Sequence, residues 1–334
     1  MLGRIEELIR ESSLTDRELE EIARRAEPRI AVLGVGGAGC NAVDALKGIL
    51  PESIVRIAVN TDSQKLLKVD ADRKILIGES LLGGRSTGRN RELGRKALLE
   101  NSLDVEEAIS GADIVFVIAG MAGGTGGGAT PEIARIAWRQ KKLVVVMGIL
   151  PFGVEGATAR REAMEAVSET RKYANTVILS ENDRLLERVK DLPMEKALVA
   201  SVEILAMAMH AILEALSRPS LVNVNLSDMV QLLREGGLAT MGIGESSGED
   251  RAREAVSQAL SSPFFELSPP YRGAMVMAWA SETPTVEEVN SMFEAISAFL
   301  VDNALIVWGA GSRPELRDRL RVLLLLAGGE SPHL

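Results

Sequence analysis

The segment DIVFVIAGMAGGTGGGATPEIARIA, Asp113–Ala137, joins an apolar strand-like run to a helical pattern through five glycines, Gly123, Gly124, Gly126, Gly127 and Gly128, set around Thr125. A strand passing directly into a helix is the repeating unit of a parallel α/β sheet. Glycine at this density costs conformational entropy and is expected where backbone must come very near a ligand. The first N–H groups of a helix favour an anion, and Pro131 is expected in the first helical turn. A second crossing of this kind lies upstream at RIAVLGVGGAGCNAV, Arg29–Val43, where Gly34, Gly36 and Gly39 satisfy G-x-G-x-x-G. Two glycine loops at neighbouring strand ends, one with a central hydroxyl, form a cradle for a polyphosphate. The residues leave three readings of the upstream loop open. It could be a dinucleotide turn, with Asp62 of VRIAVNTD where a ribose-binding acid falls. It could equally be the phosphate loop of another nucleotide site, or a tight crossing with no ligand. The G-x-x-x-x-G-K-[ST] pattern and its lysine are absent from the sequence.

The chain has 334 residues, 46% hydrophobic and 25% charged, enough for one large or two ordinary domains. Its net charge of −9, with no block of Lys and Arg, disfavours nucleic acid as a partner. The N-terminus lacks the apolar core of a signal peptide, and no later run has membrane-spanning length, so a cytoplasmic location is expected. Cys40, the single cysteine, excludes an internal disulfide and reads as a small residue fitting a glycine turn rather than a nucleophile. His210 falls in a helix pattern and His333 among the last residues, and no metal site of the protein's own is expected.

Residues 4–26 have helical periodicity ended by Pro28. From Arg29 onward, the runs RIAVLGV, VRIAVN, RKILIG, DIVFVIAG, KLVVVMGIL and NTVILS alternate with helical segments at 89–109, 130–140 and 158–173. That alternation predicts a mostly parallel sheet with helices on both faces. A long helix over 194–217, nearly all apolar or small, should be buried on most sides. Beyond it come helices at 226–235, 248–261 and 285–299 and the strands RGAMVMAWA, ALIVWGA and RVLLLLAG. The expected fold class is α/β: a helical extension over 1–28, a parallel-sheet nucleotide domain over 29–217 that includes the long central helix, and an α+β domain over 218–330.

The segments GVGGAGCNAV, AVNTDSQ, AGMAGGTGGGATP, PFGVEG, NDRLL, SRPSLVNVNLSD, GEDRAREAVSQALSSP and DNALIVWGA, in this order, resemble the tubulin/FtsZ family, and most of all its archaeal FtsZ members. The resemblance runs from about residue 29 to 328. It implies a GTP/GDP site with Mg²⁺, head-to-tail self-assembly, possible co-assembly with other FtsZ subunits, and a role in cell division. It also implies that a membrane is met through adaptors rather than directly. On this resemblance Gly36, Gly37, Ala38, Gly39, Cys40 and Asn41 wrap the phosphates, with the Asn41 side chain reaching guanine. Gly123, Gly124, Thr125 and Gly126 hold the β and γ phosphates, and Gly88 senses the γ-phosphate from a loop, GRSTGRNRELG, that departs from the family's usual sequence. Glu155 accepts from the ribose, Asn182 lies beside sugar and base, and Glu203 reads the guanine donors.

Other positions depart further from the family. Leu198 stands where an aromatic ring normally stacks on the base, and Ala159 where an arginine is usual, with Arg160 one position along. The loop expected to reach the next subunit's nucleotide usually reads N-x-D-x-x-D and here has Asn223, Asn225 and Asp228. Asn225 can orient water but cannot take its proton, so its presence implies slower hydrolysis, on the order of 10²–10⁴-fold if it replaces a base. A slowly hydrolysing structural or regulatory paralogue is therefore the alternative to an active GTPase, with an NAD-dependent enzyme as the third reading.

Overall fold

The computed structural model describes residues 28–51, 53–187, 190–193, 205–213, 226–261, 264 and 267–330, with Thr15, Glu18, Lys196 and Val202 as single positions. The expected helix over 4–26, and Leu198, Glu203, Asn223 and Asn225, lie outside the described residues.

Ten strands form one sheet. They are β1 (Ile30–Val35), β2 (Val55–Asn60), β3 (Arg73–Leu76), β4 (Ile114–Gly120), β5 (Leu143–Leu150), β6 (Thr176–Glu181), β7 (Gly237–Ser247), β8 (Tyr271–Ala280), β9 (Leu300–Ser312) and β10 (Arg319–Ala327). Their order is β3-β2-β1-β4-β5-β6-β7-β10-β8-β9. The first six are parallel, as the alternating pattern predicts. β7 continues the sheet beside β6 through a short parallel register, Thr176–Ile178 against Gly237–Ala239, and β10 runs antiparallel between β7 and β8.

The helices are α1 (Gly36–Ala45), α2 (Ser63–Lys68), α3 (Glu79–Leu82), α4 (Arg91–Glu100), α5 (Ser102–Ile109), α6 (Gly124–Arg139), α7 (Ala157–Thr170), α8 (Asn182–Glu187), α9 (Leu226–Arg234), α10 (Arg251–Ser261) and α11 (Val286–Ser297). They cover both faces, so strand residues alternate between two cores: Ala31, Leu33 and Val35 face one, Ile30 and Val32 the other. The helical residues 205–213 of the expected central helix put Leu205, Ala208, Met209, Ile212 and Leu213 into the second core. There they share a cluster with Val32 and Phe116 of one half and Met275 and Leu323 of the other. Of the nine residues 205–213, seven are buried, His210 is half-buried and Met207 is exposed, so this stretch is buried on most sides, as its sequence predicts. No described helix is long and apolar enough to cross a membrane.

Three expectations need correction. The helix expected over 89–109 is two helices, α4 and α5, broken at Asn101. That side chain accepts from Gly78 N–H (2.9 Å) and donates to Asp104 (2.8 Å), local bonds that compete with helix continuation. The helix expected from 130 begins at Gly124, so the glycine run is its first turn and Pro131 sits inside it. Interior proline removes one helical bond, at a cost of about 3 kcal/mol, here outweighed by burial of α6 along nearly its whole length. Finally, β7 has no counterpart among the expected strands. Side chains at Gly242 and Gly244 would meet the carbonyls of Ala259 and Ala255 at 2.0 and 1.9 Å, so α10 lies directly on the backbone of this strand. Glycine there serves helix docking and masks the strand signal.

Candidate functional site

In a sheet of this order, successive strands are added in one direction from β1 to β3 and in the other from β4 to β6, and the crevice beyond the carboxyl ends of the parallel β1 and β4 is the expected ligand position. α1 leaves β1 there and α6 leaves β4, and neither start is capped by a side chain. Both open onto one cleft of about 280 Å³ lined by Gly36, Gly37, Ala38, Gly120, Gly123, Gly124, Thr125 and Gly126 on one side and Ile149, Pro151, Glu155 and Asn182 on the other. Asn60, Asp62, Lys65, Ser86 and Gly88 complete the lining.

The glycines divide by purpose. Gly36 has φ +70°, a conformation that favours glycine, and a side chain on Gly37 would meet nothing nearer than Lys65 Nζ at 3.9 Å. By contrast, side chains at Gly126, Gly127 and Gly128 would strike the carbonyls of Gly120, Met121 and Arg91 at 2.1–2.3 Å. Gly94 of α4 would strike Gly124 O at 2.1 Å in the same way. The glycine run thus lets α4 and the β4 turn lie against α6, besides exposing backbone to the cleft.

Thr125 Oγ1 stands 3.0 Å from Thr61 Oγ1 and 3.1 Å from Thr87 Oγ1, all three side chains being buried. A hydroxyl donates one bond and accepts two, so these neighbours use two of the three places around it. Gly88 (φ +61°) accepts from Gly124 N–H at 3.3 Å, which ties its loop to the start of α6. Glu155 accepts from Phe152 N–H (3.0 Å) and pairs with Arg89 (2.6 Å). The neighbouring Gly153 N–H donates to Asp183 (2.6 Å), fixing this loop to the start of α8.

Other expected site residues face elsewhere. Gly39 packs against β4, where a side chain would meet Ile118 O at 2.1 Å. Cys40 is buried beside Ala58, Leu66 and Val69, and burial pushes its thiol up to about 12, which leaves only its backbone facing the loop. Asn41 is exposed on α1 and does not line the cleft. Ala159 is in the core, and Arg160 pairs with Glu181 (2.5 Å), which also holds Arg184 (2.7 Å). Asp62, by contrast, does line the cleft just past β2, and its Oδ1 also caps α2 by accepting from Lys65 N–H (3.1 Å).

Asp228 lies on the first turn of α9 and is not among the residues lining the cleft. Thr176 and Asn175, at the amino end of β6, hold the last turn of α9: the Thr176 hydroxyl donates to Leu233 O and Asn175 Nδ2 to Arg234 O at 3.3 Å. The cleft stands at the carboxyl ends of the parallel strands, and α9 is anchored at the opposite end. Thr61, Lys65, Thr87 and Arg89 were not singled out by their sequence. The available signal was that Thr61 and Lys65 follow the end of β2, while Thr87 and Arg89 flank Gly88 in the loop before α4.

Residues 29–190 match the family model described as Tubulin/FtsZ family, GTPase domain, and residues 237–330 match that of the FtsZ family C-terminal domain. The class is that of tubulin-like GTPases, and the NAD-dependent reading is set aside, although the order of the first six strands is shared with dinucleotide folds. Cell division protein FtsZ 1 of Thermococcus kodakarensis is 37% identical over 326 residues, covering 97% of this chain and 87% of its own. The protein of that name from Methanocaldococcus jannaschii is 36% identical over 322 residues, covering 96% and 88%. A solved structure described as an empty FtsZ dimer from M. jannaschii superposes with a TM-score of 0.86 at 37% identity, covering 95% of this chain and 92% of that one. The chain belongs to the FtsZ family.

Proposed function

We propose that this GTPase binds GTP and GDP in the β1/β4 cleft and assembles head to tail into filaments serving cell division in the cytoplasm. The observation that carries the reading is the pair of uncapped glycine-started helices aimed into one cleft that also holds Glu155 and Asn182. Gly36, Gly37 and Ala38, which line the cleft, and Gly123 to Gly126 hold the phosphates, with Gly39 to Asn41 continuing α1 behind the loop. Gly88 senses the terminal phosphate, Glu155 exchanges Arg89 for the ribose, and Asn182 adjoins sugar and base. Glu203, with an acceptor-only carboxylate, reads the guanine donors beside Leu198. Arg160 acts indirectly, by orienting Glu181 next to Asn182.

Among the described residues no group of three or more His, Cys, Asp or Glu could hold a metal ion. Mg²⁺ is held mainly by the nucleotide's phosphates on this reading, with Asp62 as a carboxylate in the same lining. Asn223, Asn225 and Asp228 serve the neighbouring subunit's nucleotide. The separation of α9 from the cleft supports that assignment, because a site split between opposite ends of one chain is completed by stacking copies in a heterologous contact. The division role of the named relatives favours an active polymer over a slowly hydrolysing paralogue. Nucleotide extracted from purified protein should be guanine-based, and GTP should produce filaments by light scattering and electron microscopy. Extraction of NAD or adenine nucleotides, or only closed dimers with GTP, would contradict the reading.

A further inference from the structure

The sequence has no P-loop lysine, yet the fold brings a lysine to the phosphate loop from another segment. Lys65 lies on α2, after β2, and lines the cleft. Among the described residues, and apart from the backbone of α1 itself, its Nζ is the nearest atom to the place a side chain on Gly37 would occupy, at 3.9 Å. Gly37 is the open glycine of the α1 loop, so the ammonium stands beside the backbone that faces an anion. Its nearest ion-pair partner among the described residues is Asp62, whose Oδ2 is 3.9 Å away while Oδ1 is committed to capping α2. That separation is at the outer limit of an ion pair, and the lysine side chain is 63% exposed, so the ammonium can turn to a stronger acceptor with little loss. A di- or triphosphate is such an acceptor: lysine binds phosphate as a compact point charge with three donors. The lysine would also offset repulsion between the phosphates and the Asp62 carboxylate in the same lining.

We propose that Lys65 is a phosphate-binding residue of this site, contacting the nucleotide's phosphates from across the α1 loop and supplying in space the cation that the loop lacks in sequence. The inference rests on the nucleotide reading above. The test is calorimetric titration of nucleotide-free protein with GTP, GDP and guanosine, comparing the parent with Lys65→Gln, Lys65→Ser and Lys65→Arg, and with melting measured in parallel. Loss of a charge-assisted contact should weaken GTP and GDP about ten-fold in the Gln and Ser variants. Guanosine affinity should stay unchanged, and Lys65→Arg should retain most of the GTP affinity. Because the side chain is exposed, melting of the nucleotide-free variants should match the parent. Unchanged GTP affinity, or equal weakening of GTP and guanosine, overturns the lysine assignment while leaving the nucleotide site standing. A parent that binds none of the three ligands overturns both.

Discussion

Cys40 follows Gly37 by less than one helical turn, and its thiol turns away from the cleft to donate to the carbonyls of Gly34 (3.5 Å) and Val59 (3.7 Å). Burial raises this thiol from an ordinary 9.0 to about 12. As pH rises from about 9 toward 12 the unfolded chain releases the proton and the folded chain keeps it, so stability falls across that window. Urea unfolding at pH 7 and pH 10 should show a smaller alkaline loss in Cys40→Ala than in the parent; equal losses would refute the shift. Thr125 supplies a second case. Thr125→Val leaves the Thr61 and Thr87 hydroxyls without their shared partner and should destabilise by about 1–3 kcal/mol, whereas Thr125→Ser should stay close to the parent in the same unfolding assay. Thr125 stood out in the sequence because glycines surround it. Thr61, Thr87 and Lys65 did not, because their place at the cleft is created by β2 and β3 pairing beside β1, a relation no local pattern records.

At the scale of elements, β1, β4, β5 and β6 were legible because both faces are buried and the runs are nearly all apolar, whereas β2 and the short edge strand β3 were legible from their place in the strand–helix alternation. The start of α6 was not, since a glycine run has little helix propensity. α4 and the turn after β4 need that run: Arg91 O and Arg95 N would lie 2.1 and 2.8 Å from a side chain on Gly128, and neither belongs to a flexible group. Gly128→Ala should therefore cost about 1–3 kcal/mol through displacement of α4. Gly111, just past α5, has open space around it and no positive φ, so Gly111→Ala should be neutral or stabilising by up to about 1 kcal/mol. Denaturant midpoints of the two variants decide this. Similar losses in both would mean that backbone entropy, rather than the helix contact, dominates. The same logic explains β7, whose glycines read as turn residues and in fact admit α10.

At the scale of the molecule, the proposed head-to-tail reading has the cleft of one copy meet Asp228 of the next. On that proposal Asn225 limits hydrolysis, and Asn225→Asp should raise steady-state phosphate release about ten-fold at equal filament mass. Parent turnover already matching the variant would show that the amide suffices. A mixing experiment isolates the split site itself. Asp228→Ala keeps its cleft and loses its water-polarising carboxylate. Gly37→Asp fits the open space at Gly37 and sets a carboxylate against the phosphates, so it keeps its loop and loses its nucleotide. Each variant alone should release phosphate near background. Mixed in equal amounts, they form one productive junction, the intact cleft of the first against the intact loop of the second. Turnover should then exceed the sum of the separate rates and rise more steeply than linearly with total protein, since the junction is bimolecular. A mixture no faster than that sum, with both variants folded and Asp228→Ala still binding GTP, would place hydrolysis within a single subunit and remove the mechanical reason for this chain to stack.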